Sequence, residues 1–167
     1  MNKHMQTRKN IESLINQLLS KDDEVRINAR KSLIVIGKPA VPALSLVMLN
    51  SKVHKARWEA AKALGEIGHT KAIPSLVKAL EDTETDVVWL AAVALEKFGK
   101  IAWHELLTAL KDRGAESVML RNGAHHVLLK QRAEGFDNLL VELRKALKSP
   151  VSESTPMAAF KILEKLP

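Results

Sequence analysis

At 167 residues, 46% of them apolar and only seven Gly and six Pro, the chain can bury one continuous core and is globular rather than disordered. It contains no Cys, which excludes a disulfide framework, a thiolate metal site and a cysteine nucleophile and suits a reducing cytoplasm. The net charge of +7 (26 Lys and Arg against 19 Asp and Glu) falls as +4, +1 and +2 over residues 1–50, 51–100 and 101–150 and as 0 thereafter, a mild excess that is no nucleic-acid signature by itself.

The opening "MNKHMQTRKN" has no apolar run behind it, so no signal peptide is expected. No stretch of about 18 apolar residues predicts a membrane span, and the expected location is cytoplasmic. Absent Tyr and an excess of Ala, Leu, Lys and Glu favour helix over sheet. The first predicted element is an opening helix over about 5–19, with Ile11, Leu14, Ile15 and Leu18 on one face.

A unit then repeats. Residues 20–50 predict a first helix, A, with Ala29, Leu33 and Ile36 inward and Gly37 at its end. A second helix, B, follows with Val41, Leu44 and Met48 inward. Residues 51–81 repeat this with Ala60, Leu64, Ile67 and Gly68, then Ile73, Leu76 and Leu80. Residues 82–112 repeat it again with Ala91, Leu95, Phe98 and Gly99, then Trp103, Leu106 and Leu110, so Trp103 is expected in the core. Ser20, Ser51 and Asp82 stand in one phase and are expected as N-caps, while Pro42 and Pro74 fall in first turns, where a missing N–H costs little.

A fourth unit, 113–148, carries Arg121, Ala124 and Leu128, then Leu140, Leu143 and Leu147, with Gln131 and Arg132 replacing the Ile-Gly step. A closing A helix over about 155–166 is expected, capped by Ser154 or Thr155 with Pro156 at its first position. One such helix pair has too little core to stand alone. A two-helix unit at constant period therefore predicts an all-α protein, an α-solenoid of stacked antiparallel helix pairs in a single domain, 1–167.

The pattern V-R-x-x-A-x-x-x-L-x-x-[I/F]-G…A-[V/I]-P-x-L resembles the HEAT repeat, in the short form known as the PBS-lyase HEAT-like repeat, strongly over 22–110 and in decayed form over 111–167. The resemblance implies an armadillo-like superhelix. Similar proteins include subunits of phycobilin lyases, phycobilisome-degradation factors and interaction proteins, so an accessory subunit of a bilin lyase or similar modifying enzyme is the alternative function. The Asp-Arg ladder that the family runs between repeats is expected to be broken: Arg57 follows "VHKA" and Val88 replaces a third Arg. Arg26, Arg57 and Arg121 are therefore expected to be structural.

Catalysis finds little support. The HEAT-like di-iron hydroxylase places His-Glu pairs on several A helices, whereas here one pair, His104-Glu105, lies on a B helix. His125 and His126 are adjacent and diverge by about 100° on a helix, so they are expected as solvated surface histidines rather than joint ligands of one ion. No metal, cofactor or catalytic residue is expected.

The concave B face offers Leu46, Lys78, Thr108 and Lys145 in one column and Glu105 and Glu142 in another, beside Val47, Ala79, Ala109 and Ala146. The mixed charge disfavours a phosphate-tracking groove and suits another protein as partner. Trp58 and Trp89 share one outer column and form a second candidate surface. Weak nucleic-acid binding through Lys3, Arg8, Lys9, Lys21, Arg26, Arg30 and Lys31 is the remaining alternative. A monomer or weak homo-oligomer is expected.

Overall fold

The computed structural model describes residues 3–151 and 153–167; the side chains of Lys3 and His4 lie outside that description. Ten α-helices follow in order among these residues, with no strand: α1 (Lys3–Leu18), α2 (Asp23–Ile36), α3 (Val41–Asn50), α4 (His54–Ile67), α5 (Ile73–Ala79), α6 (Thr85–Phe98), α7 (Trp103–Arg113), α8 (Val118–Leu128), α9 (Asp137–Leu147) and α10 (Ser154–Leu163). The A helices α2, α4, α6 and α8 pack side by side as one layer. The B helices α1, α3, α5 and α7 form the other, with α3 packed on α4 and α5 on α6. The protein is an all-α solenoid.

The predicted columns form the core, except that Ile36, Ile67 and Phe98 are only half-buried against it. Ala29, Ala60, Ala91, Ala124 and Leu33, Leu64, Leu95, Leu128 are wholly buried, as are Leu44, Leu76, Leu106 and Leu143. Trp103 is buried to 1% and meets Phe136 edge-on, ring centroids 5.7 Å apart. The A-to-B corner depends on glycine: Gly37, Gly68 and Gly99 have φ of 71°, 62° and 57°, where a Cβ is disfavoured. Only Gly68 is in the left-handed helical region; the others turn through ψ near −135°, open to glycine alone. Short 3-10 turns with buried Ala40, Ala72 and Ala102 then lead into α3, α5 and α7, with Pro42 and Pro74 in the first turn as expected.

The predicted N-caps are displaced. The A helices begin after Asp22, Val53 and Glu84, not after Ser20, Ser51 and Asp82. Each of the predicted residues instead accepts from the backbone N–H two positions on: Asp22 to Ser20 at 3.1 Å, Val53 to Ser51 at 3.1 Å, Glu84 to Asp82 at 2.9 Å. They shape the turn before the helix, which short oxygen-bearing side chains do as readily as capping. The Arg six residues on closes the same turn, Arg26 donating to the Ser20 carbonyl at 2.6 Å and Arg57 to that of Ser51 at 3.0 Å. Arg121 does the equivalent to Gly114 and Ala115. These three arginines are structural.

The inter-repeat ladder is not broken as expected. Arg57 grips Asp82 with two hydrogen bonds of 2.8 and 3.0 Å, and Arg30 pairs with buried Glu59 at 2.5 Å. Lys55 to Asp23, His54 to Asp86 and Arg113 to Glu81 add links across 32 residues each. The motif's own Arg57 thus joins the next unit, Val88 leaves the third unit without that Arg as expected, and the remaining links use other positions.

The closing helix departs most from expectation. It packs on α7 and α9, both B helices, rather than lying beside α8 as a fifth A helix. Its cap differs as well: Glu153 precedes it, Thr155 is wholly buried and donates to the Ala146 carbonyl at 3.2 Å, and Pro156 is its third residue. Gly114, at the end of α7, makes room, since a Cβ there would stand 2.8 Å from the Thr155 methyl. Ala158, Ala159 and Ile162 complete the buried face.

Candidate functional site

The predicted binding residues of the concave face lie in four grooves. Leu46 is 64% exposed and borders two adjoining apolar ones. A groove of about 810 Å³ is lined by Ile11, Pro39, Pro42 and Ala43, and another of about 630 Å³ by Ile15, Leu19, Val47 and Val53. Lys78, Glu105 and Thr108 line a smaller groove of about 220 Å³ between α5 and α7. Glu142 and Lys145 line a fourth, of about 450 Å³, against Met157 and Lys161 of α10, with Glu142 paired to Lys161 at 3.1 Å. Lys78 and Lys145 therefore share no groove. Val47, Ala79, Ala109 and Ala146, expected on the open inner face, are 2–8% exposed because adjacent B-layer elements close over them. Sequence reasoning missed Ile15, Leu19 and Val53 as groove walls. The available signal was the i, i+4 spacing of Ile15 and Leu19, the latter lying beyond the core stripe.

On the A layer the two tryptophans differ. Trp89 is 56% exposed. Trp58 is half-buried against the core, with the Lys62 ammonium 4.8 Å from its ring centroid. It lines a cleft of about 280 Å³ beside Ile27, His54 and Glu59. That cleft is crossed by ion pairs: Asp23 holds Arg26 and Lys55, and Asp86 lies 2.8 Å from His54. The same pairing shrinks the basic N-terminal surface. Arg26 and Arg30 are buried, with 3% and 9% exposed, and exposed Arg8 faces Glu12, so that among the described residues of that surface Lys9, Lys21 and Lys31 are the exposed cations outside an ion pair.

His126 is exposed as expected, but His125 is not a solvated surface residue. It sits half-buried between α8 and α9, and burial first, then the positive charges of Lys148, Arg144 and His126, push its pKa below the ordinary histidine value. Arg57 is shifted the other way, its guanidinium held more firmly protonated by the Asp82 hydrogen bonds against some loss of solvent. His104 and Glu105 are exposed on α7. Among the described residues no three His, Asp or Glu side chains converge as a metal-ligand set, and no single helix is long and apolar enough to cross a membrane.

No curated protein sequence matches the chain. A family model of HEAT repeats matches residues 41–128, which run from the start of α3 to the end of α8. With paired helices, glycine-broken corners and a core of matching columns over the same span, the chain belongs to the HEAT-repeat family.

Proposed function

We propose that the protein is a non-catalytic scaffold that binds another protein in the cytoplasm. The chain acts as one domain, as a monomer or weak homo-oligomer. The observation that carries this is Leu46, a large apolar side chain 64% exposed between two apolar grooves on α1 and α3. A soluble fold gains nothing by leaving such a surface wet, and a groove between parallel ridges accepts the apolar face of an amphipathic helix. The molecule supplies its own example, since α10 lays Ala158, Ala159 and Ile162 against α7 and α9. Lys78, Glu105 and Thr108 in the α5–α7 groove and Glu142 and Lys145 beside α10 offer separate polar contacts, and Trp58 and Trp89 form a second surface.

The test is affinity capture from the native cell with the wild-type chain and with Leu46→Glu. Because Leu46 is exposed, the variant should keep its helicity and melting temperature. Partner retention should fall by well over tenfold, about 1.4 kcal/mol or more. Retention that survives Leu46→Glu and is lost on Trp89→Ala would move the contact to the A layer.

A further inference from the structure

The C-terminal end gathers basic side chains at one corner of the fold. Elsewhere some arginines and lysines meet carboxylates, as in Arg30 with Glu59, Arg57 with Asp82, Lys55 with Asp23, Arg113 with Glu81 and Lys161 with Glu142. Where α8 meets α9, the charges of Arg144 and Lys148 act on His125, Arg132 stands next to Arg144, and among the described residues none of these groups forms an ion pair with a carboxylate. Arg132 and Arg144 donate to one acceptor, the Gln131 carbonyl, at 2.9 and 3.4 Å, which sets two guanidinium groups side by side. Arg144 also donates to the Leu128 carbonyl at 3.2 Å and so serves the end of α8. Burial and then Arg132 make Arg144 easier to deprotonate, with Asp137 opposing them. Asp137 is itself engaged, accepting from the Ala133 N–H at 3.3 Å.

Arg132 and Lys148 have no such structural task. Arg132 is exposed and bonds only its neighbour's carbonyl, while Lys148 is exposed just past α9. Arg132, Arg144 and Lys148 outnumber the Asp137 carboxylate that opposes them at Arg144, and like charges in excess work against the compact state unless an anion meets them. Its border is apolar: Leu129 is 46% exposed beside the carbonyls that Arg144 caps, and Val141, 41% exposed, lies one turn from Arg144 on α9. Cations with an apolar margin complement carboxylates interspersed with apolar side chains. A nucleic-acid backbone needs cations strung along a face, and here they are confined to one end.

We infer that the α8–α9 end is a docking surface for an acidic segment of a partner protein, one with apolar side chains among its carboxylates. Arg132 and Lys148 meet the carboxylates, and Leu129 and Val141 receive the apolar groups. This surface is separate from the Leu46 grooves, so Leu46→Glu should leave it intact.

Fluorescence anisotropy with the full chain tests it, using a labelled peptide of alternating Glu and Leu, the same peptide with Gln for Glu, and a labelled DNA duplex. The variants are Arg132→Glu with Lys148→Glu and, at matched net charge, Lys9→Glu with Lys31→Glu; all four positions are exposed, and circular dichroism checks that both fold. The Glu peptide should bind and the Gln peptide should not. Its affinity should drop at least about tenfold in the C-terminal variant and less than about twofold in the N-terminal one. Equal losses in both variants would reduce the effect to bulk charge and overturn the proposal. So would no binding of the Glu peptide, or tighter binding of the duplex through the same two residues.

Discussion

The two halves of the solenoid are held together differently. From α1 to α5 the B helices are direct neighbours, and the A helices α2, α4 and α6 are tied by the Arg30–Glu59, Lys55–Asp23 and His54–Asp86 pairs. From α7 onward α10 is lodged against both α7 and α9, and side chains tie mostly to backbone: Gln131 to Glu96, Arg144 to Leu128, Thr155 to Ala146, Lys165 to Gly135. The cause is visible in the units. α2, α4 and α6 are each 14 residues long, whereas α8 has 11 and is followed by a longer turn through Gly135 at φ 78°. Where the period is strict, neighbouring units meet through their own faces. Where it slips, an added helix and side-chain bonds to backbone carbonyls close the stack.

The sharpest way to break this contrast is at the buried pair in the regular half. Glu59→Ala leaves Arg30 buried without its counter-charge and should cost about 3–5 kcal/mol in denaturant unfolding, while Arg30→Met with Glu59→Leu should recover most of that. A cost near zero for Glu59→Ala would show that ion pairing does not hold the A layer. In the irregular half, Thr155→Val keeps the shape and removes the bond to the Ala146 carbonyl, which still accepts from the Ser149 N–H at 3.0 Å. The expected cost is about 0.5–1.5 kcal/mol, seen as faster amide exchange in α10 with α2–α5 unchanged. Uniform loss of protection would mean that the two halves open as one.

The smallest effect concerns His125. Its folded pKa lies below the unfolded one, so its contribution to stability is complete above the ordinary value of about 6.5 and declines as pH falls through that value towards the folded pKa. Subtracting the melting curves of His125→Gln from those of the wild type, between about pH 7.5 and 5, should isolate a wild-type loss on acidification. A difference that does not change with pH, or that grows in the opposite direction, would show that folding does not lower the His125 pKa.

The layered fold was legible because three units repeat the same inward residues at constant spacing, and Leu33, Leu64 and Leu95 are accordingly buried alike. The turn oxygens of Ser20, Ser51 and Asp82 were legible in phase but two residues out in role, since an oxygen-bearing side chain can serve a turn or a cap with the same spacing. The layer taken by α10 was not legible. Ala158, Ala159 and Ile162 mark a buried face, but a stripe does not say which neighbours will cover it. Of the candidate surfaces, the exposure of Leu46 followed from its column, while the walls that make its groove come from α1 and from the turn after α3. Trp58 and Trp89 share a column and differ in burial because Lys62 covers one of them, and Val93 stands at the matching place in the next unit.

One bond described above also limits how the array could be rearranged. Asp82 stands where the preceding units carry Ser20 and Ser51, and Arg57 of the second unit closes on it, while the third unit has Val88 where that Arg would be. Exchanging the second and third units would put Val88 ahead of Ser51 and carry Arg57 away from its acid. The units therefore have an order. They look like copies along the chain, but each is keyed to the neighbour that follows it, and an array shuffled at the unit boundaries would keep every helix and lose the joint.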